Sequence, residues 1–92
     1  MALRFEWDPD KAAVNLRKHR VGFEEASTVF GDPLSITILD PERGEGEFRY
    51  VLIGQSQRRR VLVVCHTERG ETIRIVSARR ASRREKNEYE EG

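Results

Sequence analysis

Four short apolar runs lie between Leu34 and Ala78, and strong turn signals separate them. Leu34, Ile36 and Ile38 alternate with polar or smaller neighbours until Asp40-Pro41 breaks the pattern. Residues 48–54, 60–67 and 72–78 read as three further strands. Glu42-Arg43-Gly44-Glu45-Gly46 reads as a flexible turn, and Gln55 to Arg59 as a polar hairpin connection. Glu68-Arg69-Gly70-Glu71 is a tight hairpin turn in which Gly70 suits positive φ. Strands joined by connections this short pair as antiparallel neighbours, so a mostly antiparallel sheet is the frame of the fold.

Helices flank this frame. Leu3, Phe5 and Trp7 alternate with Arg4 and Glu6, a short first strand. Asp8 then reads as an N-cap with Pro9 at the first helical position, where its missing N–H costs nothing. Trp7 before the cap and Ala12 in the first turn make a hydrophobic staple. Trp7 thus has two readings, an anchor for the chain or a platform on which a base stacks. The helix runs to about His19, with Ala12, Leu16 and His19 expected on its inner face and Lys11, Asn15 and Lys18 on an adjacent one. Gly22 opens a second helix without supplying a capping side chain; its stripe is Phe23, Ala26 and Phe30, and Gly31-Asp32-Pro33 ends it. Ser82 with Glu85 is a capping box, so a third, almost wholly charged helix is expected at about 83–90, with Tyr89 as its apolar anchor. The order β-α-α-β-β-β-β-α implies an α+β fold with helices packed on one face of the sheet.

A chain of 92 residues, 37% hydrophobic and 36% charged, has room for one modest core and one domain. That disfavours a cleft engulfing a large metabolite and favours a shallow functional surface. The net charge of +1 hides a segregation. Residues 57–86 hold ten Lys and Arg against three acids, whereas residues 21–47 hold seven acids against Arg43. Such a split offers a polyanion one surface and a cationic partner another, although a solvated charged shell would look the same in sequence. Cys65, the only cysteine, excludes an internal disulfide and a cysteine zinc cluster, and in Val61-Leu62-Val63-Val64-Cys65 it reads as a structural thiol. No apolar stretch approaches the roughly 20 residues of a membrane span and no signal-peptide pattern is present, so the chain is expected to be cytoplasmic.

Candidate chemistry concentrates on the strand at 72–78. Ile73 and Ile75 point opposite to Arg74, so if the isoleucines face the helices, Arg74 stands on the open face of the sheet. Arg49 and His66 on adjacent strands are expected to join it, with Arg79 just past the strand end. Guanidinium groups bind phosphodiesters bidentately and stabilise the charge of a phosphorane, and an imidazole can move the proton. Arg74, Arg79, His66 and Arg49 are therefore the candidate catalytic residues. Lys11, Lys18, His19, Arg80 and Arg83 are the candidate contacts to the phosphates of a nucleic-acid strand. His66 reads equally as a sheet-edge histidine, His19 as a half-buried tie between helix and sheet, and Lys18 as a solvated lysine. The arginine triplet 58–60 is either a loose phosphate clamp or a soluble loop. Two histidines and one cysteine, dispersed along the chain, match no zinc spacing, and no P-loop, dinucleotide fingerprint or nucleophile elbow is present. No metal and no cofactor is expected.

An ordered set of short motifs resembles the BrnT family of toxins. It comprises Phe5-Glu6-Trp7-Asp8, Lys11, Asn15, Lys18-His19, Phe23-Glu24-Glu25-Ala26, Phe30-Gly31-Asp32-Pro33, Gly54, Ile73-Arg74-Ile75, Ser77-Ala78-Arg79 and the pair Glu85 and Tyr89. Arg20 stands where relatives often have a helix-exit glycine, and Gly22 where they often have a capping Ser or Thr. The resemblance implies one toxin-like domain over residues 1–92 with a RelE-like fold. It implies metal-independent RNA cleavage that inhibits translation, with attack by the RNA 2′-hydroxyl; the residues alone also fit a non-catalytic nucleic-acid-binding or protein-interaction module. The partner it implies is a BrnA-type antitoxin with a ribbon-helix-helix domain, so that operator DNA is met only through the toxin–antitoxin complex.

Overall fold

In a computed structural model, which describes residues 3–40 and 48–91, five strands form one mixed sheet in the order β1-β5-β4-β3-β2. The strands are β1 (Arg4–Glu6), β2 (Ile36–Leu39), β3 (Arg49–Gln55), β4 (Val61–Arg69) and β5 (Thr72–Arg80). The helices are α1 (Pro9–His19), α2 (Phe23–Thr28, continued by a 3₁₀ turn at Val29–Gly31) and α3 (Arg83–Glu91). The element order is the expected one. The β1–β5 pair is parallel and the other three are antiparallel. The turn expected at 42–46 lies outside the described residues.

Local chemistry sets the boundaries. The Asp8 carboxylate accepts a hydrogen bond from the Asp10 N–H at 2.8 Å, and Pro9 opens α1. Arg20 ends the helix in the left-handed region at φ 59°, the conformation for which a glycine is the usual residue. Gly22 caps α2 without a side-chain bond. Gly70 takes φ +57° in the β4–β5 turn. Gly54 has a different reason: a Cβ there would lie 2.9 Å from both Ser35 Cβ and Val29 Cγ1, so only glycine lets β3 pass beneath the 3₁₀ corner.

The core lies between the sheet and the first two helices. Val21, Phe23, Ala26 and Val29 meet Leu52, Leu62, Val64, Ile73, Ile75 and Ala78, with Phe5, Trp7, Ala12 and Phe30 at the margin. Trp7 sets its ring edge-to-face on Phe23, with centroids 6.0 Å apart, which is the anchoring geometry of a staple.

The inner face of α1 differs from its expected composition. Leu16 is half exposed, whereas Asn15 is buried at 6% exposure. β1 ends opposite Arg74 and leaves the outer edge of β5 open beyond it. The Asn15 carboxamide fills that edge: its Nδ2 donates to the Ala78 carbonyl at 2.8 Å, and its Oδ1 accepts from the Ala78 N–H at 3.1 Å. The same Nδ2 donates to the Val21 carbonyl at 2.9 Å, which ties the exit of α1 to the sheet. The amide stands in for a missing strand peptide, satisfying backbone groups that are costly to bury unpaired.

Strand β5 extends to Arg80, so Arg79 and Arg80 belong to the strand rather than to its exit. The ladder shifts register between Cys65 and His66, because Ser77 pairs Cys65 while Ile75 pairs His66, leaving Val76 as the extra residue of a bulge.

Candidate nucleic-acid interface

The bulge decides where the arginines of β5 point. Arg74 and Arg79 are five residues apart, and regular alternation would put them on opposite faces. The extra residue restores the parity. Arg74 pairs Thr67, Arg79 pairs Val63, and both stand on the face away from α1 and α2. Arg49 joins the same row, because it also pairs Thr67. Glu6 completes that row, opposite Arg74, and ion-pairs with it at 3.6 Å. Arg49 and Arg74 are thus two strand spacings apart, about 10 Å, within reach of one phosphate. Arg79 lies about 15 Å further along β5, too far to share that position.

His66 is not on that face. It shares its parity with Leu62 and Val64, pairs Ile75 and Tyr50, and is buried at 1% exposure. Its ring meets Phe30 edge-to-face at 4.8 Å and stacks on Tyr50 at 5.6 Å. Nε2 lies 2.9 Å from the Glu68 carboxylate, while Nδ1 has no partner among the described residues. The expected juxtaposition of His66 with Arg74 and Arg49 is therefore corrected. Even numbering along β4 already carried the signal, because Leu62 and Val64 are core residues.

Arg79 is engaged within the chain. Its guanidinium makes two parallel 2.8 Å bonds to Glu85 at the start of α3. This fork, together with the N–H and hydroxyl of Ser82, draws the Glu85 carboxyl down to about 2 against the opposing effect of partial burial. Tyr89, one turn on, donates its hydroxyl to Asp32 at 2.5 Å, and that carboxylate together with desolvation pushes the phenol up to about 12. Asp32 is partly desolvated, yet its carboxyl lies below the ordinary value, held there by the Gln55 N–H, the Tyr89 hydroxyl and the Leu34 N–H. The expected apolar anchor of α3 works through its polar tip.

The other candidates fall into two places. Lys11, Lys18 and His19 line one groove of about 360 Å³ between α1 and β5, with Asp10, Val14, Asn15, Val76 and Ser77 completing it. Lys11 and Lys18 make no ion pair among the described residues. Asn15 is the floor that fixes helix to strand, and the bulge opens the strand edge at Val76 and Ser77. Arg80 instead points toward the end of the sheet beside the β3–β4 turn, and Arg83 is exposed at the start of α3. Reading the sequence for cations missed Asn15, whose role shows only once β1 is known to stop at Glu6.

No three His, Cys, Asp or Glu side chains come together to hold a metal ion among the described residues. No described helix is long and apolar enough to cross a membrane.

Residues 7–85 match the model of a family described as ribonuclease toxin, BrnT, of type II toxin–antitoxin systems. The matched span contains α1, the whole sheet from β2 to β5 and Glu85. No curated protein sequence matches the chain. Among solved structures, the 1.1 Å crystal structure of the Brucella abortus ribonuclease toxin BrnT superposes with a TM-score of 0.64 at 20% identity, covering 89% of this chain and 100% of that one. At that identity the likeness speaks for the fold.

Proposed function

The chain belongs to the BrnT family of ribonuclease toxins of type II toxin–antitoxin systems, and from that premise we propose that it cuts RNA in the groove between α1 and β5. One observation carries the proposal. The groove brings Lys11, Lys18 and His19 together against an opened strand edge, so phosphate-binding charge and a proton-transferring imidazole share one shallow surface.

In this mechanism Lys11 and Lys18 hold the phosphates flanking the scissile bond. His19 accepts the proton of the 2′-hydroxyl, whose oxygen attacks phosphorus. The P–O5′ bond breaks, the 5′ oxygen takes a proton from water, and a 2′,3′-cyclic phosphate remains. Lysine ammonium groups stabilise the doubly charged phosphorane between these events. Arg74 and Arg49, converging over Thr67, receive the RNA where it leaves the groove onto the open face. Arg79 serves as a contact only when it exchanges Glu85 for phosphate. His66 supports the sheet from beneath.

RNA supplies its own nucleophile, so no bound metal is required, and the cognate antitoxin is of the BrnA ribbon-helix-helix type. Induced expression with and without that antitoxin tests the reading in cells. Growth arrest should occur without the antitoxin, be relieved by it, and be abolished by Lys18→Ala or Arg74→Ala at wild-type protein levels. On purified protein, or in a translating extract, cleavage should persist in EDTA and spare an all-deoxy substrate. Activity lost on chelation and restored by Mg²⁺ would sink the mechanism.

A further inference from the structure

We propose that a second basic pocket, at the end of β5, holds a backbone phosphate of the same RNA strand beyond the cleavage groove; this rests on the RNA reading above. The pocket has a volume of about 350 Å³. Four cations from three elements line it: Arg59 and Arg60 from the β3–β4 turn, Arg80 from β5 and Lys86 from α3. Glu90 is the one acid among its described lining residues, and the Tyr89 side chain closes a wall while its hydroxyl stays bound to Asp32.

The four cations are not equivalent. Arg60 is fixed: its Nε donates to Glu25 at 2.9 Å, its Nη2 bonds the other oxygen of the same carboxylate, and Nη2 also donates to the Arg20 carbonyl at 3.1 Å. That guanidinium draws the buried Glu25 carboxyl below its ordinary value against desolvation, with Ser56 assisting. Arg60 is therefore a wall whose charge Glu25 already balances. Arg59, Arg80 and Lys86 make no ion pair among the described residues and carry the unbalanced charge.

The turn that presents Arg59 is rigid. Ser56 and Arg60 close it through a 2.8 Å backbone bond, the Arg59 N–H donates to the Ser56 carbonyl at 2.9 Å, and the Gln57 N–H donates to Thr28 Oγ1 at 2.9 Å. Arg59 itself holds φ 63°, a conformation a side chain adopts only at a cost, and the bracing keeps it there. The braced backbone presents the Arg59 guanidinium, whose planar fork matches a pair of phosphate oxygens.

Position connects the pocket to the groove. Arg20, whose carbonyl Arg60 holds, directly follows His19, and Arg80 lies three residues, about 10 Å, beyond Ser77 along β5. An RNA strand that leaves the groove past His19 meets this pocket next. Its role is to hold the flanking strand.

The test compares two doubly substituted proteins of equal charge, Arg59→Gln/Lys86→Gln and Arg4→Gln/Arg84→Gln, in their binding of a short fluorescent all-deoxy strand. The pocket variant should bind at least tenfold more weakly at low salt, with a log–log salt slope shallower by about 0.7, corresponding to the one lost single-strand phosphate contact. Arg59→Lys/Lys86→Arg should restore both quantities, which separates charge from folding. If the pocket and control variants lose affinity equally, the pocket proposal fails and the groove stands. Loss of antitoxin affinity with oligonucleotide binding intact assigns the pocket to the protein partner and equally overturns the proposal. If wild-type protein does not bind the strand, the RNA reading and this proposal fall together.

Discussion

Helices α1 and α3 are fastened to the same sheet by opposite kinds of chemistry. α1, eleven residues long, is held through Asn15, a neutral amide bonded to buried backbone at Ala78 and Val21. α3, nine residues long, buries none of its side chains and is held by two side-chain contacts, Arg79 with Glu85 and Asp32 with Tyr89. A neutral amide in a dry site responds to neither pH nor salt, whereas the α3 contacts involve partly exposed titratable groups and respond to both. The groove proposed for catalysis is built on the first kind of attachment. Arg79, proposed above as a reserve contact, is held by the second.

The largest effect expected from breaking this comparison is at Asn15. Asn15→Ala removes three hydrogen bonds and leaves the buried Ala78 N–H and carbonyl unpaired, which should cost about 2–4 kcal/mol. Chemical denaturation should show the loss globally, because α1 and β5 share the core. Glu85→Gln should cost about 1–2 kcal/mol, since the pair is charge-assisted but partly exposed. Hydrogen exchange should locate that loss in α3 and leave α1 protected. If both variants unfold the whole chain to the same degree, the two attachments are not distinct.

Titration sharpens the same contrast. Glu85 is depressed in the folded protein, so its contribution is fully present above its unfolded value near 4.5 and is lost as pH falls toward about 2. Tyr89 is raised, so its contribution is present below its unfolded value near 10 and is lost as pH rises toward about 12. α3 amides should therefore lose protection first at both extremes, as followed by exchange-corrected NMR. Loss of α1 before α3 would contradict this order. The smallest effect expected is Tyr89→Phe, about 1 kcal/mol, confined to the end of α3 and detectable as a shift in thermal midpoint.

The two helices also differ in how far the sequence revealed them. Both starts are written locally, in Asp8-Pro9 and in Ser82 with Glu85, and both capping bonds form. The attachment of α1 is not local. Asn15 earns its burial only because β1 stops opposite Arg74, a fact of strand length that one-dimensional periodicity does not carry. Period-two reasoning placed Arg74 correctly on the open face. Its alignment with Arg79 depends on a bulge whose extra residue, Val76, looks like any strand valine. His66 was readable, since it continues the even-numbered row of Leu62 and Val64, but its chemistry outweighed its parity. Charge segregation pointed to the basic stretch without distinguishing Arg60, which Glu25 neutralises, from Arg59, which it does not.

The central claim is that proton transfer belongs to the α1–β5 groove and not to the buried histidine beneath the sheet. Single-turnover cleavage of RNA by His19→Gln and His66→Gln, each measured where circular dichroism shows it folded, tests this directly. Loss of a positioned general base should slow His19→Gln by about 100-fold or more, while His66→Gln should stay within a few-fold of wild type. A His66→Gln protein that is folded and inactive beside an active His19→Gln protein would contradict the account.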